Sequence, residues 1–243
     1  WDSDIIEKMD YNHNYSSNGI LISMYLDEEI AFLEFHQKLK LSVQVTLDIP
    51  VIHFSYLWDA IFAQNDVLNK DTDEFIANRG GDIHQSVIYD TIESIFIHET
   101  AKISAGVILD ASKGPIIIDE NVFIDIGALV QGPAYIGKNS VVNPGSKLRG
   151  NLSLGEMCKV GGELEDVIIH GFSNKQHDGF LGHSYIGEWV NLGANTNNSD
   201  LKNNYSTIRV NLNKNLEINT MKRFLGVLIG DYTKSGISTM FNS

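Results

Sequence analysis

Gly114-Pro115-Ile116-Ile117-Ile118-Asp119-Glu120-Asn121 returns 18 residues later as Gly132-Pro133-Ala134-Tyr135-Ile136-Gly137-Lys138-Asn139. A shorter period runs inside this one. Aliphatic residues stand six apart at Ile118, Ile124, Val130, Ile136, Val142, Leu148, Leu154 and Val160, an unbroken register that chance rarely supplies. The spacing reaches back across a three-residue insertion to Leu109, Ile103 and Ile97. Gly or Asp often follows the aliphatic, as in Ile124-Asp125, Leu154-Gly155 and Ile229-Gly230.

Six-residue repeats make a parallel β-helix. One aliphatic per hexad points inward, three hexads close a triangular coil, and backbone hydrogen bonds join coils at the usual strand separation of about 4.8 Å. The expected fold class is therefore mainly β, with a β-helix over residues 81–243. Cys158, between the inward Leu154 and Val160, reads as a structural thiol, because no basic partner stands near it in sequence.

Residues 1–80 read differently, as a small α/β segment plus linker. Ile20 to Leu26 is a short apolar strand. Asp27 to Lys40 reads as a helix, with acids in its first turn and Lys38 and Lys40 in its last, the sense the helix dipole favours. Ser42 to Leu47 alternates as a half-buried strand does. A second helix is expected from Tyr56 to about Asn69, with Leu57, Ala60, Ile61 and Leu68 as its apolar stripe. Asp71, Asp73 and Glu74, followed by Arg79, Gly80 and Gly81, read as linker.

Composition narrows the function. The chain has 243 residues, 18 Lys+Arg against 31 Asp+Glu, a formal net charge of −13 and 43% hydrophobic residues. That is enough apolar material for a core, while the acidity argues against nucleic acid as a partner, since phosphate neutralisation needs a basic stripe. No apolar run reaches the roughly 18 residues of a membrane span. A single cysteine and no signal-peptide pattern make cytoplasmic the plain reading. The chain opens on Trp1 rather than Met, so it reads as part of a longer protein.

After Val160 the hexads fail, and the chemistry collects there. Residues 166–185 hold His170, His177, His183 and Lys175 among several glycines, and a second break after Leu192-Gly193-Ala194 carries Asn195, Asn197, Asn198, Lys202, Asn204, Tyr205 and Arg209. Loops interrupting a solenoid are where such proteins place function.

The hexads, the stretch from Ser173-Asn174-Lys175-Gln176-His177 through His183-Ser184-Tyr185-Ile186-Gly187, and Val190-Asn191-Leu192-Gly193-Ala194 to Asn203-Asn204-Tyr205 resemble the acetyltransferase half of bacterial bifunctional UDP-N-acetylglucosamine pyrophosphorylase/glucosamine-1-phosphate N-acetyltransferases, in particular their variant branch of sugar nucleotidyltransferases. The resemblance covers about residues 90–240. It implies a left-handed β-helix, a homotrimer with active sites between neighbours, and acetyl-CoA as co-substrate in UDP-N-acetylglucosamine biosynthesis. Residues 1–80 would be the tail of a nucleotidyltransferase domain, whose front half alone would need Mg2+.

The implied reaction is attack of the glucosamine-1-phosphate amine on the acetyl-CoA thioester. An amine protonated at neutral pH needs a base, and imidazole titrates in the right range. His177 falls where the resemblance places the catalytic His. The sugar phosphate calls for cations, and forked Arg suits it. Arg149 matches the Arg of a Leu-Arg pair, although Gly150 replaces the usual Pro, and Lys175 is a second candidate. Asn191, Asn204 and Tyr205 match polar residues that contact the sugar or orient the acetyl group, and Arg209 lies near a further cation. Backbone N–H donors for the thioester oxyanion are expected at Gly193 and Ala194. Against the net charge, Arg149, Lys175, Lys202 and Arg209 would have to make a local positive field.

Two other readings compete. His170, His177 and His183 invite a zinc site like that of the γ-class carbonic anhydrases, although their spacing does not fit the usual ligand pattern. A non-catalytic hexapeptide scaffold is the other; the retained His177 cluster speaks against it.

Overall fold

The computed structural model describes residues 9–26, 35–47, 53–72 and 80–242. Contacts divide the chain into two compact units, Trp1–His53 and Phe54–Ser243. In the first, β1 (His13–Ser17) and β2 (Ile20–Tyr25) form an antiparallel hairpin. Its two-residue turn is Asn18-Gly19, both at positive φ (50° and 77°), the conformation that Asn-Gly adopts at little cost and that matches strand twist. The helix α1 (Phe35–Leu41) leads to β3 (Val43–Thr46), which pairs parallel with β1. The expected start of this helix, residues 27–34, lies outside the described residues, as do Asp73, Glu74 and Arg79 of the expected linker.

The second unit begins with α2 (Leu57–Asp71). Asp59 caps its entry, with Oδ2 accepting the backbone N–H groups of Ser55 and Tyr56 at 2.8 and 2.9 Å. Its buried stripe is Trp58, Ile61 and Leu68, whereas Leu57 is 48% exposed. Trp58 and Ile61 pack with Ile208 and Leu225 and against Ile168, Tyr185 and Leu228, outward residues of the solenoid. The sequence grouped this helix with the first 80 residues. By contact it belongs to the solenoid, and the chain divides after His53.

From Gly80 onward the chain winds as a parallel β-solenoid with three faces. The first face stacks Asp82–Ile83, Lys102–Ile103, Phe123–Ile124, Val141–Val142, Lys159–Val160 and Asn174–Lys175, and single bridges carry it on through Asn191 to Lys234. Ile88–Asp90, Ile108–Asp110, Leu129–Gln131 and Lys147–Arg149 build the second face. Ile95–Ile97, Ile116–Ile118, Ala134–Ile136 and Leu152–Leu154 build the third. Every hexad aliphatic from Ile97 to Val160 points inward and is at most 2% exposed. Removing such side chains from water, at about 25 cal/mol per Å² of apolar surface, is the main force holding the coils together.

The three-residue insertion before Ile116 is a loop at the corner between the second and third faces. There Asp110 Oδ1 accepts both the N–H and the hydroxyl of Ser112, at 3.0 and 2.5 Å. The loss of hexads after Val160 has the opposite cause. In β4 (Glu163–Gly171), Leu164 stacks on Leu148 and Val167 on Leu152, so the strand turns the corner without the usual extra residues. Its successor β5 (Phe180–Glu188) repeats that path. Stacking therefore continues where the six-residue spacing stops. A long excursion then leaves the coil after Asn198, forms the hairpin β6 (Arg209–Asn213) and β7 (Leu216–Asn219), and rejoins the third face at Leu228–Ile229.

Candidate active site

The corner between the first and second faces carries Gln176-His177-Asp178 on one coil and Gly193-Ala194-Asn195 on the next. His177 is exposed and lines two adjoining clefts. One, of about 500 Å³, is bounded by Asn143, Gly161, Gly162, Asp178, Ala194 and Asn195; the other, of about 190 Å³, by Asn174, Asn191, Leu192, Gly193 and Ile237. Among the described residues no hydrogen bond or ion pair holds the imidazole. The backbone of its loop is held from both sides. Asn143 Nδ2 donates to Gln176 O at 2.7 Å, and Lys175 Nζ donates to His177 O at 2.6 Å.

Lys175 is therefore not where the sequence put it. It stacks on Val160, inside the prism, 2% exposed, with Nζ bound to the carbonyls of Gly161 (3.1 Å) and His177. Burial lowers its pKa to about 8, opposed by the nearby Asp178 charge. A lysine so enclosed cannot reach a substrate phosphate. The alternation of the strand decides this: Asn174 faces out, so Lys175 must face in.

Arg149 is exposed on the second face but already occupied, with Nη1 2.7 Å from Glu163 and 3.2 Å from Glu165. Arg209 lies in the excursion, 3.4 Å from Glu217 across the hairpin. Asn204 Oδ1 accepts the Ser206 N–H at 3.0 Å, and Tyr205 is 67% exposed at the tip of the same turn. Asn191, Gly193 and Ala194 do line the clefts beside His177. Within one chain, then, the residues singled out by sequence form two groups. His177, Asn191, Gly193 and Ala194 meet at the first corner, while Asn204, Tyr205 and Arg209 belong to an excursion that leaves from the second face. The Gly193 N–H is engaged by Ser235 Oγ at 3.0 Å, which leaves Ala194 of that pair as the candidate oxyanion donor.

The three histidines do not converge. His170 sits 3.5 Å from Glu188 on the outside of the third face. His183 lies between Asp200 (Nδ1 to Oδ2, 2.8 Å) and Asp166 (Nε2 to Oδ2, 3.4 Å) and stacks on Phe224. Burial works against its charge, but the Asp200 hydrogen bond and the Asp166, Asp200 and Glu165 charges prevail and raise its pKa. The ring sits between two carboxylates and clamps the base of the excursion. Among the described residues no three His, Cys, Asp or Glu side chains come together in a way that could hold a metal ion. The zinc reading needed His170, His177 and His183 in one place, and the fold separates them.

Two cations escaped the sequence reading. Lys159, Asn174, Asn191 and Lys234 form one outward column on the first face. Lys159 and Lys234 are exposed, and neither makes an ion pair with another described residue. Lys159 was legible as an outward neighbour of Val160. Lys234 was not, because the long excursion separates it in sequence from the Asn191 it stacks on.

Within the prism, residues 115–150 match the family described as bacterial transferase hexapeptide (six repeats). The chain is related in sequence to bifunctional sugar-1-phosphate nucleotidyltransferase/acetyltransferases. It is 38% identical over 129 residues to the bifunctional sugar-1-phosphate nucleotidylyltransferase/acetyltransferase of Sulfurisphaera tokodaii, covering 52% of this chain and 32% of that protein. To the bifunctional protein GlmU of Acaryochloris marina it is 31% identical over 124 residues, 43% of this chain and 27% of the relative. The GlmU protein of Rippkaea orientalis gives 26% over 170 residues, 61% and 33%. The matched stretches span about a third of the length of these relatives. Among the described residues no helix is long and apolar enough to cross a membrane.

Proposed function

We propose that this chain is an acyltransferase that moves the acetyl group of acetyl-CoA onto the amine of an amino-sugar-1-phosphate, with glucosamine-1-phosphate the first candidate, in nucleotide-sugar synthesis. The observation that carries the reading is His177: an exposed imidazole, unpaired among the described residues, at the mouth of a cleft with amide side chains around it. The substrate ammonium first gives one proton to solvent, and His177 takes a second from the nitrogen as the neutral amine attacks the thioester carbonyl. The Ala194 N–H faces the developing oxyanion. As the C–S bond breaks, the proton passes to the CoA sulfur. Asn174 and Asn191 offer hydrogen bonds to sugar hydroxyls, and Lys159 and Lys234 on the same column supply positive charge for phosphate.

The two groups of candidate residues support assembly as a homotrimer, because Asn204, Tyr205 and Arg209 of one copy then have a way to reach the His177 cleft of a neighbour. In the longer relatives' pattern, the first unit would be the end of a nucleotidyltransferase domain whose front half uses Mg2+, and the setting would be cytoplasmic. The test is acetyl transfer from acetyl-CoA to a small panel of amino-sugar-1-phosphates, with His177→Ala as control. Transfer that is equally fast in the variant refutes the assignment.

A non-catalytic scaffold is the second reading. What favours it is that Arg149 and Arg209 are bound by carboxylates and Lys175 is buried. Calorimetry of acetyl-CoA against the protein separates the two, since a scaffold gives no binding heat.

A further inference from the structure

We infer that Lys175 is a positioning residue: from inside the solenoid its ammonium group holds the His177 loop in register with the cleft. The inference rests on His177 being the base, and it starts from an anomaly in the core. On the first face the inward column reads Ile83, Ile103, Ile124, Val142 and Val160, then Lys175, then Leu192. An amine in an aliphatic column is disfavoured, because burial strips its hydration. Apolar side chains fill this rung on the coils below and above, so the solenoid does not need a lysine here to close.

What the lysine reaches explains its presence. Nζ donates to Gly161 O on the coil below at 3.1 Å and to His177 O at 2.6 Å on its own coil. Those carbonyls belong to the two corner turns that form adjacent walls of the 500 Å³ cleft. One ammonium group thus ties the base-bearing turn to the turn beneath it. The bonds are charge-assisted, and their strength is raised by the water-free interior. Burial lowers the lysine pKa to about 8, so at neutral pH the tie is predominantly the charged form. The tight corner below leaves no alternative: a Cβ at Gly161 would run into the Gln176 carbonyl, so only glycine lets the two turns approach this closely.

Lys175→Met keeps the length and fills the column but removes both donors. The expected result is a protein with wild-type circular dichroism and an unchanged or higher melting temperature, since an apolar side chain replaces a desolvated charge. Amide hydrogen exchange at residues 176–179 should speed up about tenfold or more. The kcat for acetyl transfer should fall by roughly 10- to 100-fold with KM changed less than about twofold, the signature of a displaced base rather than a lost binding contact. Lys175→Gln, which retains an uncharged donor, should be intermediate in both readouts, and it decides the matter if the Met variant does not fold. Unchanged exchange and unchanged kcat in folded Lys175→Met overturn the inference. If the wild-type protein transfers no acetyl group, the acyltransferase reading falls, while the exchange measurement still decides whether Lys175 holds the loop.

Discussion

The coils up to Val160 and those after it are built on the same three faces but solve the stacking problem differently. In the earlier coils each face contributes an aliphatic at fixed spacing, and the inward column is almost purely Ile, Val and Leu. In the later coils the corners shorten, and inward positions take Lys175, Ser184 and Asn198. Polar side chains there do backbone work. Asn198 Oδ1 accepts the Gly182 N–H at 2.8 Å while its Nδ2 donates to Gly182 O at 3.0 Å, and Asn197 Oδ1 accepts the Phe180 N–H at 2.8 Å. The ladder is continued by amide side chains where the excursion pulls the next strand away. Regular hexads make a stable rod, and departures from them make openings.

The sharpest way to break this contrast is to disable one member of each region. His177→Ala should reduce acetyl transfer by roughly 10²- to 10⁴-fold with no loss of melting temperature, measured as kcat/KM beside a thermal scan. Leu148→Ala, in the regular region and fully buried between Val130 and Leu164, should do the reverse: about 2–5 kcal/mol of stability lost in urea titration, with activity per folded molecule retained. If His177→Ala proves the more destabilising of the two, the division into rod and opening is wrong.

His183 gives a pH-dependent version of the same test. Its pKa is raised in the fold, so the Asp166–His183–Asp200 clamp contributes fully below the ordinary imidazole value of 6.5 and is lost as pH rises through the folded value. Asp200→Asn should cost about 1–3 kcal/mol at pH 6 and much less at alkaline pH, read as the difference in urea midpoints between the two conditions. A cost independent of pH would show that the imidazolium is not the clamp.

The smallest effect is expected at the corner between the third and first faces. There Asn121, Asn139, Met157, Phe172, Trp189 and Tyr232 occupy one left-handed position on successive coils, with φ between 49° and 61°. Asn tolerates that conformation, whereas larger side chains do so at a cost. Met157 is 48% exposed, so Met157→Asn should gain up to about 1 kcal/mol, measured as a small upward shift in the urea midpoint.

Much of this was legible in advance. Ile97 to Val160 could be read as a column because one face of every strand is buried and the period is fixed, and all eleven hexad aliphatics are in the core. The helix at 57–71 was legible as an amphipathic run, but its partner was not: Trp58 and Ile61 meet Ile168 and Tyr185 only because the chain returns past the third face. The site was half legible. His177 and Asn191 were singled out by resemblance and Ala194 as a place for N–H donors, and the stacking of adjacent coils brings the three to one cleft. Lys175 was misplaced because a cation's charge shows in sequence while its inward direction does not, and the carboxylates beside Arg149 were equally invisible there.

The amino-acid sequence by itself determined the prism, since a six-residue spacing of aliphatics has no other way to bury them all. It also determined which stretches could carry chemistry, because His, Lys and Asn cluster where that spacing fails. Tertiary structure alone decided which of those residues face the cleft and which face the core. A one-residue step along a strand reverses a side chain's direction, and shortened corners after Val160 reset the count. Lys175 shows the physical reason most plainly: one position from an outward asparagine, it is turned inward and holds the loop it seemed to share.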